Sequence, residues 1–456
     1  MPTLITSGAA AGSRVRPAGP KGQFLTGVLS EWQRDPLAFF TRCAREYGDF
    51  VPVRMGPTRG VHLNHPDLIE EVLVTQNHKF VKPVQVRLAR PLGGNGLFLS
   101  EGEFWRRQRR LAQPAFHRAR ITAYGEVMVR YTRQLLDTWR TGDVRDVHQE
   151  MKALTLRIAA KTLFDAEVAD VVAEVGAAMA TAAHELQSKM NSLSFLVPYR
   201  VPTPGHLRLR GAVRRLDAIV YRIIEQRRAT GEDRGDLLSM LLHAQDDDGS
   251  RMTDQQVRDE VMTLFIAGHE STGLALTWAL SLLGRHPEAA ARLAAEVDDV
   301  LGSRAAGAAD VPRLAFAERV LKEALRLYPP AWAMGREAVE DCVIGGYAVA
   351  KGTVMVMSPW VVHRDPRFFD EPETFHPERW TDGFERRRPR FAYFPFGGGQ
   401  RACIGGAFAM METALVLATI TQRFRLAPAP GHVAEPLAEM TLRPKHGVHM
   451  LLHGRE

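Results

Sequence analysis

The segment that most constrains this chain is Phe394–Gly406 (FPFGGGQRACIGG), which surrounds Cys403 with glycines. Glycine lets a backbone approach a bulky group closely and adopt positive φ angles. A helix is predicted to begin just after the cysteine, and the positive end of its dipole favours a negative charge there. We therefore expect a lowered thiol pKa and a thiolate that can bind a metal. The alternatives are a buried, inert cysteine and a nucleophile that needs a nearby histidine base.

The rest of the sequence predicts a mainly α protein with a minor β portion. Alternating stretches at residues 49–55 and 60–64 flank a Gly-Pro turn and predict a β-hairpin. Residues 253–283 predict a long helix with a capping box formed by Thr253 and Gln256. A strand is predicted at 351–358 and a helix at 404–423, while 80–100 and 366–395 are predicted to be irregular. We expect a flexible arm at residues 1–20 and a single domain at residues 21–456.

Cysteine content and hydropathy indicate the compartment. The chain has three cysteines, Cys43, Cys342 and Cys403, with no CxxC pair, so a reducing compartment is expected rather than a disulfide framework. The N-terminus lacks the apolar region of a signal peptide, and no run of about 18 apolar residues predicts a transmembrane helix. The sequence therefore predicts a soluble, cytoplasmic protein.

The net charge is +7, from 59 basic and 52 acidic residues. Basic clusters at residues 106–110 and 386–390 could attract an acidic protein or an anion, or could be an ordinary solvated surface. Nucleic-acid binding is not expected, because no recognition motif accompanies the charge.

Polar residues interrupt the long predicted helix at Leu264–Gly273 (LFIAGHESTG). Gly268 costs about 1 kcal/mol relative to alanine in a helix interior, and it removes a side chain where a ligand could lie. The carboxylate of Glu270 and the hydroxyl of Ser271, helped by Thr272, could hold water and relay protons. An amphipathic helix with a polar notch would give the same pattern.

The cysteine segment resembles the haem-binding motif F-x-x-G-x-R-x-C-x-G of the cytochrome P450 family, at Phe396, Gly399, Arg401, Cys403 and Gly405. The polar stretch of the long helix resembles the family's A-G-x-(D/E)-T-(T/S) motif, with serine where the family usually has threonine. Three further elements resemble family motifs. Trp105 and Arg109 match W-x-x-x-R, Glu323 and Arg326 match E-x-x-R, and Pro377–Trp380 (PERW) matches P-E-R-F with tryptophan in place of phenylalanine. Together these elements span Trp105 to Gly405 in family order.

The resemblance implies a P450 fold with haem between the long central helix and the cysteine-segment helix. It implies that Cys403 is the axial iron ligand, and that haem b is held without covalent links because no CxxCH motif is present. The residues expected to bind the cofactor are Trp105, Arg109, Ala267, Gly268, Arg336, Phe396, Arg401 and Gly405. Those expected to relay protons are Glu270, Ser271 and Thr272, and those expected to form a buried structural triad are Glu323, Arg326 and Arg379.

The reaction that the resemblance implies inserts one oxygen atom of O2 into a C–H bond or an alkene. The sequence contains no flavin or nicotinamide module, so a ferredoxin or flavodoxin served by an NAD(P)H-dependent reductase is the expected donor to a monomeric enzyme. A lipophilic substrate (terpenoid, fatty acid or steroid) is expected from apolar walls at 80–100, 195–199, Leu264, Ala267, 331–334 and 438–442. A peroxide-driven or isomerising haem-thiolate enzyme and a non-catalytic haem sensor remain alternatives.

Overall fold

The computed structural model describes residues 17–165, 172–190, 192, 194, 197–245, 249–381 and 383–455. Most of these residues are helical. In chain order the α-helices are α1 Leu29–Arg34, α2 Pro36–Tyr47, α3 Pro66–Glu70, α4 Val84–Arg87, α5 Arg90–Gly93, α6 Gly102–Ala112, α7 Arg118–Leu136, α8 Val147–Phe164, α9 Val172–Met190, α10 Pro204–Thr230, α11 Leu237–His243, α12 Asp254–Arg285, α13 Pro287–Leu301, α14 Ala315–Leu327, α15 Pro359–Val362 and α16 Gly406–Arg423.

The strands form small sheets at the edge of the helical body. They are β1 Phe50–Met55, β2 Thr58–Leu63, β3 Phe80–Val81, β4 Val144–Asp146, β5 Met334–Ala338, β6 Cys342–Ile344, β7 Tyr347–Val349, β8 Val354–Met357, β9 Phe424–Pro428, β10 Pro436–Ala438, β11 Leu442–Pro444 and β12 His449–Gly454. The largest sheet has the order β1-β2-β8-β5-β3, in which only β2 and β8 are parallel. A second sheet has the order β4-β12-β9, and β6-β7 and β10-β11 are separate pairs.

Helix α12 runs through the centre of the molecule. Its predicted capping box is present, because the Thr253 hydroxyl accepts from the Gln256 N–H at 3.2 Å and the Gln256 side chain accepts from the Thr253 N–H at 3.0 Å. The helix ends at Arg285, before Pro287 starts α13. Most of its residues are buried against α8, α10, α14 and α16. The expectation of a long, capped central helix is confirmed.

The β-hairpin predicted near residue 50 is also confirmed, with Phe50 opposite Leu63 and Met55 opposite Thr58. The prediction of one long irregular loop at 80–100 is wrong, because β3, α4 and α5 lie within it. Elements of two to four residues are too short to produce a readable hydrophobic period. Of the predicted N-terminal arm, residues 1–16 lie outside the described part, and 17–22 form neither helix nor strand.

Candidate active site

Cys403 lies in the turn that precedes α16. Its N–H donates to the Phe396 carbonyl at 2.9 Å, which closes the segment into a loop. The start of that loop is held from behind, because the Phe394 N–H donates to Nε2 of the buried His363 at 2.9 Å. The Cys403 side chain is exposed, unlike Cys43 and Cys342, which are buried. Cys403 therefore remains accessible to a ligand, although protein atoms surround its sulfur closely.

The expectation that the helix end alone would lower the Cys403 pKa is wrong. Burial among protein atoms raises the pKa of the thiol, and this outweighs the lowering effects of a hydrogen bond from the Gly405 N–H and of the nearby Arg109 cation. The helix dipole is worth only a fraction of the desolvation cost of a thiolate. Binding of a metal cation would be needed to deprotonate the thiol fully.

Two glycines of the segment are required by packing within the protein. Gly399 has φ +65°, and a Cβ there would lie 2.0 Å from the Leu73 carbonyl oxygen. A Cβ on Gly398 would lie 2.2 Å from the Phe391 ring. These glycines let the cysteine loop pack tightly against the residues behind it, which fixes the position of the sulfur.

A cluster of cations adjoins the cysteine. The Arg401 guanidinium stacks on the Trp105 ring at 4.0 Å and forms a salt bridge with Glu101. Arg109 donates to the Ala402 carbonyl at 3.0 Å. Burial lowers the pKa of Arg336 and lowers that of Arg401 to about 10. The structure therefore brings together four of the residues predicted to bind the cofactor.

Lys82 belongs to the same cluster and was missed by the sequence analysis. Burial lowers its pKa to about 7, and the charges of Arg401 and Arg336 add to this effect, while Glu101 opposes it. A lysine within the otherwise apolar run FVKPV was the available signal. The backbone N–H of Lys82 also donates to Glu101 at 2.8 Å, so this missed carboxylate organises both sides of the cluster.

This cluster fits the two carboxylates of haem b. It contains four basic side chains, those of Lys82, Arg109, Arg336 and Arg401. In the described part of the chain, the carboxylate that forms a salt bridge with this cluster is Glu101. One guanidinium nitrogen of Arg401, Nη1, is buried without a hydrogen-bond partner. Buried arginines normally pair with anions through their forked donors. The site is therefore short of negative charge beside a free thiol, as haem binding requires.

The metal ligands that the protein offers also suit an ion that is already bound within a macrocycle. Among the described residues, no group of three or more His, Cys, Asp or Glu side chains is arranged to hold a metal ion. A single accessible sulfur supplies one ligand, and the remaining ligands must come from the cofactor. Cys403 and the cation cluster therefore suit haem b better than a bare metal ion.

The predicted triad forms a buried network behind the cysteine loop. Glu323 accepts from Arg326 at 2.8 Å and from Arg379 at 2.9 Å, and all three residues are buried. Burial raises the pKa of Glu323, but the hydrogen bonds and charges of both arginines outweigh this and lower it overall. Trp380, the departure from the P-E-R-F element, donates its indole N–H to Glu323 at 2.8 Å. The tryptophan thus adds a donor that phenylalanine lacks.

The middle of α12 has one open face. Ala267 and Ser271, one turn apart, are exposed although most of the helix is buried. The Ser271 hydroxyl donates to the Ala267 carbonyl at 2.9 Å. Thr272 does not share this face, since it is buried and donates to the Gly268 carbonyl at 3.2 Å. Of the two hydroxyls, the structure places that of Ser271 on the open side.

Contrary to the expectation from the sequence, Gly268 does not face the open side of α12. A Cβ at this position would contact Leu163 and Ala159 of α8 at 3.6 and 3.9 Å. The glycine therefore contributes to the contact between α12 and α8 rather than to the space for a ligand. The close approach of α8 also lets the Thr155 hydroxyl donate to the His269 carbonyl at 2.8 Å.

Glu270 and Ser271 have different hydrogen-bond partners. Oε1 of Glu270 accepts from the Thr441 hydroxyl at 2.9 Å, in the loop between β10 and β11. Neighbouring helical residues project in different directions and do not face each other. The carboxylate and the Ser271 hydroxyl are therefore not in direct contact. No feature of the sequence predicts the contact with Thr441, which lies 171 residues away.

Comparisons with known proteins agree with this geometry. The family model described as "Cytochrome P450" matches residues 17–451. Cyclooctatin synthase of Streptomyces melanosporofaciens is 43% identical over 93% of this chain and 92% of its own length. Cyclooctat-9-en-7-ol 5-monooxygenase of the same organism is 38% identical over 89% and 88%. Pentalenene oxygenase of Streptomyces avermitilis is 37% identical over 90% and 92%.

The fold matches a solved structure closely. The crystal structure of the cytochrome P450DA heme domain superimposes with a TM-score of 0.88 at 30% identity, over 96% of this chain and 98% of that one. Of the helices that the structure describes, none has the length and hydropathy needed to cross a membrane.

The match confirms the expected cytochrome P450 fold, which is mainly α with a minor β portion. The cofactor is haem b, and O2 is the co-substrate. The relatives include enzymes named as a monooxygenase and an oxygenase. This chain belongs to the cytochrome P450 family and is a haem-dependent monooxygenase.

Proposed function

We propose that this enzyme hydroxylates or epoxidises a lipophilic terpenoid, using O2 and two electrons from a ferredoxin or flavodoxin. The observation that carries the proposal is the accessible Cys403 beside a cluster of four basic side chains that has a single carboxylate, Glu101, in salt-bridge contact among the described residues. Residues 21–456 act in this proposal as one haem domain. Bound haem supplies the iron that binds and reduces O2, with a thiolate ligand that favours O–O cleavage.

The chain's own residues hold the cofactor in this proposal. Cys403 is the iron ligand, and the Gly405 N–H tunes its electron donation through a hydrogen bond to the sulfur. Lys82, Arg109, Arg336 and Arg401 bind the haem carboxylates, and the Trp105 ring supports the Arg401 guanidinium. The cysteine loop itself is held in position by the other expected residues, Phe396 and the triad of Glu323, Arg326 and Arg379.

Ser271 and Glu270 deliver protons in this proposal. Ser271 lies on the open face of α12 and Glu270 lies beside it on the chain. Because the two side chains hydrogen-bond to different partners, a water molecule bridges the carboxylate and the hydroxyl in this relay. The buried Thr272 has no direct part in this relay, since its hydroxyl donates to the Gly268 carbonyl. Ala267 leaves room for O2 and substrate on the open face.

Apolar walls support a lipophilic substrate. Two segments expected to line the pocket meet at the Tyr199 hydroxyl, which donates to the Leu88 carbonyl at 2.7 Å. A cavity of about 500 Å³ opens there, lined by Val84, Arg87, Leu88, Arg90, Pro91 and Tyr199. Two other expected segments meet where the Trp332 indole N–H donates to the Glu439 carbonyl at 2.8 Å. Residues 195 and 196, also expected in the wall, lie outside the described residues.

The relatives favour a terpenoid among the lipophilic classes. The name cyclooctat-9-en-7-ol denotes an unsaturated alcohol, and pentalenene denotes an alkene. Such molecules offer an apolar surface to the walls and few polar groups that need partners. Of the two arginines that line this cavity, Arg87 and Arg90, the first is already paired with Glu337 at 3.2 Å, so Arg87 is not free to anchor an acidic substrate.

A titration of the ferric haem protein tests the substrate class. We expect terpenoid alkenes and alcohols to shift the iron towards high spin, and fatty acids and polar sugars to have weaker effects. Product analysis with an NADPH-dependent ferredoxin–reductase pair should then show one added oxygen atom per substrate. If only polar or charged compounds shift the spin state, the terpenoid proposal is wrong. If peroxide supports faster turnover than the reductase pair, the peroxide-driven alternative is favoured.

The basic clusters at 106–110 and 386–390 are the surfaces that we propose for the electron donor. Arg106, Arg110, Arg386, Arg387 and Arg390 are all exposed. Electrostatic steering by such a surface weakens as salt increases. Reductase-supported turnover should therefore fall with ionic strength, whereas the spin shift produced by an uncharged substrate should not change.

A further inference from the structure

The tip of the β10–β11 hairpin touches the proposed proton relay. Thr441, in the loop between the strands, donates its hydroxyl to Oε1 of Glu270 at 2.9 Å. This is a side-chain bond between the central helix and a loop far away in the sequence. A hydrogen bond to a carboxylate is stronger than one between neutral groups. Thr441 therefore has the chemistry to fix where that carboxylate lies.

The hairpin tip is itself held in place from several directions. The Trp278 indole N–H of α12 donates to the Leu442 carbonyl at 3.0 Å. The Leu442 N–H donates to the Pro330 carbonyl at 2.9 Å, and the Glu439 N–H donates to the Thr441 carbonyl at 3.1 Å. These bonds lie on both sides of Thr441. The tip therefore presents the Thr441 hydroxyl to Glu270 in a defined position.

A second side-chain pair stiffens the same tip. Arg443 forms two hydrogen bonds with Glu439, at 2.7 and 2.9 Å, across the turn. The Trp332 indole N–H holds the Glu439 carbonyl at 2.8 Å. Because the nearby Arg443 guanidinium is occupied by Glu439, the Glu270 carboxylate keeps Thr441 as its direct partner among the described residues.

Other charged groups surround Glu270 without touching it. His148 approaches it from α8, Arg443 from β11 and His269 from its own helix, and Lys152 of α8 lies near both histidines. Burial lowers the pKa of His148 to about 4 and lowers that of His269, so both imidazoles are neutral near pH 7. These groups set the electrostatic potential at the carboxylate, whereas the Thr441 hydroxyl sets its direction.

We propose that Thr441 is a positioning residue that aims the Glu270 carboxylate for proton delivery to the water bridging it to Ser271. This inference rests on the proposed function, in which Glu270 relays protons. A freely rotating glutamate would spend much of its time in rotamers that cannot reach that water. By holding one carboxylate oxygen, Thr441 leaves the other oxygen facing a fixed direction.

A purely structural role for Thr441 predicts different behaviour. If Thr441 only packs the hairpin or lines the substrate pocket, its replacement should alter substrate affinity and should act independently of Glu270. If it acts through Glu270, its replacement should have no further effect once Glu270 can no longer relay a proton. A double-mutant cycle distinguishes these two cases.

The experiment compares T441V, T441S, E270Q and the double variant T441V/E270Q as full-length haem proteins. Thr277→Val is the matched control, because the Thr277 hydroxyl is buried in the same helix and donates to the Gly273 carbonyl at 2.6 Å, away from Glu270. Substrate affinity is measured from the spin shift with cyclooctat-9-en-7-ol as the probe. Product and hydrogen peroxide per NADPH are measured with a ferredoxin–reductase pair. Melting temperatures are recorded for every variant.

We expect product per NADPH to fall about tenfold in T441V, as expected for a lost hydrogen bond to a charged group. T441S should recover most of the coupling, T277V should match the wild type, and the probe's dissociation constant should not change in T441V. T441V should not lower product per NADPH any further in the E270Q background. The change in melting temperature of the double variant should differ from the sum of the changes in the two single variants.

Two results separate failure of this inference from failure of the proposed function. Thr441 does not position Glu270 if E270Q lowers product per NADPH while T441V behaves as wild type. The same conclusion follows if the effects of T441V and E270Q are additive both in product per NADPH and in melting temperature. If E270Q itself leaves coupling unchanged, the proposed relay is wrong. The melting-temperature cycle needs no substrate, so it decides the pairing of Thr441 with Glu270 even if the probe fails to bind.

Discussion

Replacing Lys82 by methionine removes a buried cation from the haem-carboxylate cluster while keeping an unbranched side chain of similar length. In the haem-free protein, burial and the charges of Arg401 and Arg336 lower the Lys82 pKa from 10.5 to about 7. A shift of this size means that charging Lys82 costs about 5 kcal/mol more in the folded protein than in water. A haem carboxylate offsets this cost, because it adds negative charge to a cluster in which Glu101 alone opposes the effect of the basic groups on Lys82.

The sign of the pH dependence follows from this shift. Above pH 7 Lys82 is neutral in the haem-free protein, so pairing with a haem carboxylate requires it to take up a proton. Haem affinity should therefore fall about tenfold for each pH unit above 7. Between pH 7 and 10.5, and without haem, Lys82 is protonated in the unfolded chain but not in the folded protein. The free energy of unfolding of the haem-free protein should therefore rise with pH in that window. The K82M variant should lose both dependences.

Haem transfer to excess haem-free myoglobin measures the first effect, with rates recorded from pH 6 to 9. Lys79→Met is the matched control, since Lys79 lies three residues away and pairs with Glu340 at 3.7 Å outside the cluster. Wild type and K79M should lose haem faster as the pH rises, and K82M should show a flatter profile with weaker retention at pH 6. Equal pH slopes in wild type and K82M would refute the placement of Lys82 beside a haem carboxylate.

Three other changes have distinct expected outcomes. E323Q should destabilise the protein by about 3–5 kcal/mol in urea unfolding, because Arg326 and Arg379 lose their buried counter-charge; unchanged stability would show that the network is dispensable. Burial raises the pKa of Glu260 to about 7, so the folded protein loses the stabilising protonated form of Glu260 as the pH rises through 7. E260Q should therefore be more stable than wild type by up to about 3 kcal/mol at pH 8. In thermal melts that difference should vanish near pH 4.5, the ordinary pKa of a glutamate side chain, and a difference that stays constant with pH would contradict this explanation. S271T should raise product per NADPH, because the added methyl restricts χ1, and S271A should lower it; equal coupling in all three proteins would show that residue 271 does not set proton delivery.

Much of the fold was readable from the sequence because the signals were long or chemically specific. The central helix shows apolar residues over eight turns and a capping box at Thr253, and the structure has both. The first hairpin is marked by alternation on both sides of a Gly-Pro turn. By contrast, α4 and α5 are four residues each, too short for periodicity to show. They are held by tertiary contacts such as the Arg87–Glu337 salt bridge.

The candidate site was less readable where it depends on geometry between distant segments. Cys403 and Arg401 stand in a recognisable motif, whereas Lys82 and Thr441 reach the site only through folding. The thiol pKa was predicted with the wrong sign, because a sequence shows a helix end but not the depth of burial that opposes it. Gly268 was assigned to the wrong face for a similar reason. Its neighbours on α8 are more than 100 residues away.

The most direct test of the account is the spectrum of the reduced haem protein under carbon monoxide. Thiolate ligation by Cys403 predicts a strongly red-shifted Soret band in the wild type, and loss of that shift in Cys403→His. The C43A and C342A variants are the controls, because both cysteines are buried in hydrophobic clusters and their replacement should leave the shift unchanged. An unshifted, histidine-like band in folded wild-type protein, or a red shift that survives Cys403→His, would contradict the central claim that Cys403 binds the haem iron.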